Sequence, residues 1–144
     1  MMRLTASETK CTFLAERMKI TGRVASGFGE GKKFFSLREY GAGFEKLLGT
    51  KPFFGTLNVD IGGENSSVSE EIKEGASLVV FGFESGGKKY FDVKCARARL
   101  CGVDGLLVFP RLNHHPKNIL EFVCAQELRK TLGLEDGREV EIEI

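Results

Sequence analysis

Apolar and polar residues alternate over short stretches along most of the chain, a period of two that predicts strands rather than long helices. The run REVEIEI near the C-terminus alternates strictly, and KITGRVASG puts β-prone Ile20 and Val24 on one face before it ends in glycine. Further strands are read in FFSL, FFGTLNVDI, SLVVFGFES, KKYFDVKCARARL, DGLLVFP and ILEFVCA, punctuated by the turn signals Ser85-Gly86-Gly87 and Glu135-Asp136-Gly137. Helical spacing shows in EYGAGFEKLLG, where Tyr40, Phe44, Leu47 and Leu48 share a face, Gly49 is a stop signal and Pro52 follows. Gly41 and Gly43 oppose that helix by about 1 kcal/mol each relative to alanine. A second short helix is read in AQELRKTLGL, with Leu128 and Leu132 one turn apart, and GGENSS is read as a solvated loop.

About seven strands and two short helices, with no helix between most consecutive strands, predict a mainly β protein. The expected architecture is a small closed β-barrel. Residues 1–17 are mostly polar, with a short helix over 8–17, and are expected to form a loosely attached extension; residues 18–144 are expected to form one barrel domain. Length agrees, since 144 residues can bury one sizeable core.

Charge narrows the partners. Lys and Arg total 21 against 20 Asp and Glu, a net charge of +1, so no global field draws the chain to nucleic acid, and a small-molecule partner is favoured. No apolar run approaches the roughly 20 residues of a bilayer-spanning helix. The first residues lack a signal-peptide h-region, which points to the cytoplasm. Cys11, Cys95, Cys101 and Cys124 form no CxxC pair, which argues against a zinc knuckle and for free thiols.

Three stretches could carry chemistry. In SGFGEGKKFFSL, Gly27, Gly29 and Gly31 leave backbone N–H groups open to an anion, with Lys32 and Lys33 beside them. The pattern is not a Walker loop, since GxxxxGK[ST] is absent, nor a Rossmann fingerprint, since FFSL rather than a helix follows; standing alone, it reads better as a plain hairpin tip. In GTLN, Thr56 and Asn58 stand two apart and project from one face of a strand with neutral oxygens that suit Mg²⁺ beside a phosphate, or simply satisfy local backbone. In ILEFV, Glu121 interrupts an apolar run, where a carboxylate is costly without partners; it marks a ligand site or an ion pair with Arg111 or Arg129. The adjacent His114 and His115 make a poor metal pair, because neighbours in an extended segment face opposite ways.

In order and spacing, GRVASGFGEGKKFFSL, FEKLLGTKPFFGTLN and VFPRLNHHPKNILEFVCAQELRKTLGLEDGREVEI resemble the archaeal CTP-dependent riboflavin kinases, over nearly all of the chain from about Ile20. The resemblance implies a cradle-loop β-barrel that moves the γ-phosphate of CTP, with Mg²⁺, to the 5′-hydroxyl of riboflavin, giving FMN and CDP. It further implies nucleotide contacts from Gly27, Phe28, Gly29, Glu30, Gly31 and Lys32 and from Gln126, Glu127, Leu128 and Arg129. Thr56 and Asn58 would hold the metal, and Asn113 and Glu121 would meet the flavin substrate. Family members commonly carry a hydroxyl residue where Asn113 stands, and some have an N-terminal winged-helix domain for which residues 1–17 are too short. The competing reading is a non-catalytic β-barrel module or a swapped-hairpin regulator that binds DNA; the neutral charge and the GTLN motif weigh against it.

Overall fold

The computed structural model describes residues 18–26, 38–53, 55–110 and 116–144. The proposed extension, the glycine run 27–37 with its FFSL strand, and residues 111–115 with Asn113 and both histidines therefore lie outside the described residues.

Seven strands form one antiparallel sheet: β1 (Lys19–Ala25), β2 (Leu57–Asp60), β3 (Leu78–Val80), β6 (Val93–Leu100), β7 (Val103–Pro110), β8 (Ile119–Val123) and β9 (Glu139–Glu143). Their order is β3-β6-β7-β8-β2-β1-β9, and pairing of Arg99 and Leu100 with Glu143 and Ile142 joins β6 to β9. That pairing closes six strands into a barrel and leaves β3 outside it, on β6. The mainly β, closed-barrel expectation holds.

Alternation in the sequence becomes the two sides of the barrel wall. Val24, Leu57, Val59, Leu107, Leu120, Phe122, Val140 and Ile142 fill the interior. Outside, Leu106, Val108, Val93, Cys95 and Val123 make a second apolar layer, covered by Val80 of β3 and by Tyr40 and Phe44 of helix α1 (Arg38–Leu48). Strands β7 and β8 are thus buried on both faces, which is why their sequences are nearly continuous in apolar residues.

Two segments read as single strands are broken. SLVVFGFES divides into β3 and β4 (Phe83–Ser85), and KKYFDVKCARARL into β5 (Lys88–Tyr90) and β6. The breaks face each other: Gly82 donates its N–H to Asp92 Oδ1 at 2.6 Å, and a Cβ on Gly82 would stand 2.1 Å from the Tyr90 carbonyl oxygen. The β4–β5 hairpin turns at Gly86 and Gly87, both at positive φ (59° and 76°), as a two-residue loop requires.

The third difference is helix α2 (Ser66–Gly75), preceded by a 3₁₀ turn at Gly63–Asn65, where GGENSS was read as loop and no helix was expected. Its inward apolar residues are Val68 and Ile72, one turn apart, which pack on the interior cluster, with Ser69 buried beside them and most other positions solvated. The last helix, α3, is a single turn (Leu128–Thr131): Leu128 enters the core, Leu132 is exposed, and Leu134 takes the second core position.

Candidate functional site

Barrel register assembles residues far apart in sequence. Ala25 of β1 pairs with Asn58 of β2, Asn58 with Glu121 of β8, and Glu121 with Val108 of β7. Directly opposed residues share a face, so these four form one row across the outer side of the wall. Asn58 and Glu121 are only 4% and 7% exposed, two polar side chains set into an otherwise apolar layer.

Thr56, two residues before Asn58, joins them by donating its hydroxyl to Glu121 Oε1 at 3.2 Å. Asn58 Oδ1 is a buried acceptor with no hydrogen-bond partner among the described residues. Leaving such an atom unmade costs about 1–3 kcal/mol, so its retention needs another reason. An unpaired neutral oxygen beside a carboxylate and a hydroxyl fits a hard cation such as Mg²⁺. Among the described residues no group of three or more His, Cys, Asp or Glu could hold a metal, so a cation here would rest on neutral oxygens with Glu121 as the neighbouring carboxylate.

The row begins at the stem of the glycine run, because Ala25 and Ser26 lead directly into residue 27. On the other side stands the segment after β8. A cleft of about 70 Å³ is lined by Gly55, Thr56, Cys124, Gln126, Glu127 and Arg129, among others. The N–H of Phe53 bonds to the Cys124 carbonyl at 2.9 Å, which straps the approach to GTLN against the end of β8. Gln126 and Glu127 are exposed at this cleft, whereas the Leu128 side chain is core, so only its backbone can meet a ligand. Cys124 donates to the Gln126 carbonyl at 3.2 Å, and burial pushes its thiol pKa up, making it a neutral packing group rather than a nucleophile.

Arg129 does not pair with Glu121. Its Nη2 donates to Asp136 Oδ1 at 2.6 Å and to the Ala25 carbonyl at 3.1 Å, while Ser26 donates its hydroxyl to Asp136 Oδ2. These contacts hold the Asp136 carboxyl below its ordinary pKa, the Ser26 hydrogen bond foremost and the Arg129 bond next. Sequence reasoning passed over Ser26 and Asp136; Asp136 registered only as a turn residue.

Comparison with known proteins shows the family of the chain. A family model, CTP-dep_RFKase, described as "Domain of unknown function DUF120", matches residues 24–144. The chain belongs to this family. Its similar relatives include a protein named riboflavin kinase from Pyrobaculum arsenaticum, 39% identical over 127 residues, covering 88% of this chain and 60% of the relative. Riboflavin kinases of Archaeoglobus fulgidus and Ignicoccus hospitalis are each 37% identical; the match covers 88% and 90% of this chain and 54% and 72% of those proteins. The chain thus spans about 60% of the length of the first such relatives. Within the family match fall the whole Thr56, Asn58 and Glu121 cluster and both ends of the Ser26–Asp136 contact.

Proposed function

We propose that this chain is a CTP-dependent riboflavin kinase, transferring the γ-phosphate of CTP to the 5′-hydroxyl of riboflavin. Family membership supports the kinase reading, and the family's name supports CTP as the donor. The observation that carries the reading to particular atoms is the buried Asn58–Glu121 pair, with Asn58 Oδ1 lacking a partner among the described residues.

In this reading Thr56 and Asn58 hold Mg²⁺ through their side-chain oxygens. The ion, when bound, supplies neutralisation of charge on the transferring phosphoryl group. Glu121 accepts a hydrogen bond from a riboflavin hydroxyl, and the Thr56 hydroxyl fixes the orientation of its carboxylate. The glycine run from Gly27 to Lys32 approaches the phosphates with backbone N–H groups, and Gln126 to Arg129 form the second wall of the nucleotide site. Asn113 contributes its amide to the flavin. A new bond forms between the riboflavin 5′-oxygen and the γ-phosphorus as the bond from that phosphorus to the β–γ bridging oxygen breaks, so that CDP leaves and the proton of the 5′-hydroxyl is released to solvent. The protein's share is to hold the two in line and to exclude water.

The test is direct: purified protein, riboflavin and Mg²⁺ with either CTP or ATP, with FMN resolved by chromatography. FMN from CTP is expected. No FMN with either nucleotide would overturn the kinase reading, and FMN from ATP alone would overturn the choice of donor.

A further inference from the structure

Asp136 uses both carboxylate oxygens on residues from two different segments. Oδ2 accepts from Ser26, the last described residue before the glycine run, and Oδ1 accepts from Arg129 at 2.6 Å, in the segment after β8. Arg129 also returns to β1, donating to the Ala25 carbonyl at 3.1 Å.

Neither the turn nor the strand pairing needs this carboxylate. The turn is closed by backbone alone, Arg138 N–H to the Glu135 carbonyl at 3.0 Å, with Gly137 at φ 87°. Backbone bonds also fix β1 here, from Gly137 to the Val24 carbonyl at 2.7 Å and from Val24 to the Arg138 carbonyl at 2.9 Å. What the side chain adds is a hold on Ser26 and Arg129, which lie outside the paired strands.

We propose that Asp136 is a positioning residue for the donor nucleotide, tying Ser26 at the end of β1 to Arg129 so that the 126–129 segment meets the nucleotide in a fixed relation to the barrel. The inference rests on the proposed function, which assigns the 126–129 segment to the nucleotide. Arg129 serves a second purpose in the same contact: its charge offsets a carboxylate that would otherwise repel phosphates approaching the stem.

Asp136→Ala should raise the KM for CTP about tenfold, the factor expected when about 1.4 kcal/mol of preorganisation is lost. KM for riboflavin should stay within about twofold, because Glu121 and Thr56 are untouched. Asp136→Asn, which keeps an acceptor for Ser26 but loses the charge that holds Arg129, should fall between. Ser26→Ala should raise the KM for CTP by a smaller factor and serves if Asp136→Ala folds poorly. Amide exchange at residues 25–26 should quicken in both alanine variants. Were the wild type unable to make FMN, the functional reading would fall and this inference with it. An active wild type whose Asp136→Ala and Ser26→Ala variants keep the wild-type KM for CTP, or lose affinity for both substrates in equal proportion, would overturn the inference alone.

Discussion

Asn58 occupies a strand position where packing alone would place valine, between Val108 and Glu121 on one side and the β1 stem on the other. Its buried Oδ1, without a hydrogen-bond partner among the described residues, costs stability, the pattern the proposed role of Asn58 in binding accounts for. Asn58→Val is therefore expected to leave the melting temperature unchanged or raise it, while turnover falls on the order of 100-fold, the scale of losing a metal-site contact. Thermal melts and Mg²⁺ titrations of FMN formation would check this; wild-type kinetics in the variant would remove Asn58 from the site. The shared face of Thr56 and Asn58 was legible from a period of two. That Glu121 lies opposite Asn58 was not, because their strands are more than sixty residues apart and pair only in the folded sheet.

Helix α1 carries the same lesson at the level of an element. Its aromatic face was readable from spacing, while Gly43 looked like a defect. In the fold it is a contact: a Cβ there would stand 2.6 Å from Val80 Cγ1, so the missing side chain lets the helix lie close on β3. Gly43→Ala gains helix propensity yet should lose about 1–3 kcal/mol through overpacking, and the double variant Gly43→Ala with Val80→Ala should show non-additive stability in denaturant melts. At its other end, Arg97 donates to the Leu47 carbonyl at 3.0 Å, capping the last turn. Helix α2 escaped reading because two inward side chains per helix give too little periodicity to register, and the breaks flanking β3 to β6 escaped it because they arise from a close backbone approach at Gly82 that no local pattern encodes.

Across the whole molecule, carboxylates tie distant segments together. Asp60 at the end of β2 accepts from Asn118 Nδ2 at 2.8 Å and from the Gly62 N–H at 2.9 Å, and both bonds lower its pKa below the ordinary 3.8, the Asn118 bond more. Asp136 is lowered in the same sense by Ser26 and Arg129. A carboxyl with a depressed folded pKa contributes stability that is present above its unfolded value and is lost as pH falls through the folded one. The melting temperature should accordingly hold from neutral pH down to about 4 and then drop, and Asp60→Asn should flatten that drop while lowering the plateau. Melts of the two proteins across pH 7 to 2.5 would decide it; identical acid limbs would exclude a role for Asp60.

Local pattern along the chain suffices for the β class, most strand positions and the α1 face, and it marks GTLN and the glycine run as candidates for phosphate chemistry and Glu121 as a candidate ligand site or ion-pair partner, because alternation and turn signals act over a few neighbouring residues. Which of those residues meet follows from the folded chain alone. Pairing of β1 with β2, β2 with β8 and β8 with β7 lines Ala25, Asn58, Glu121 and Val108 in one row, and a turn at residue 136 reaches back to residue 26, since contacts of that range exist only in the folded sheet.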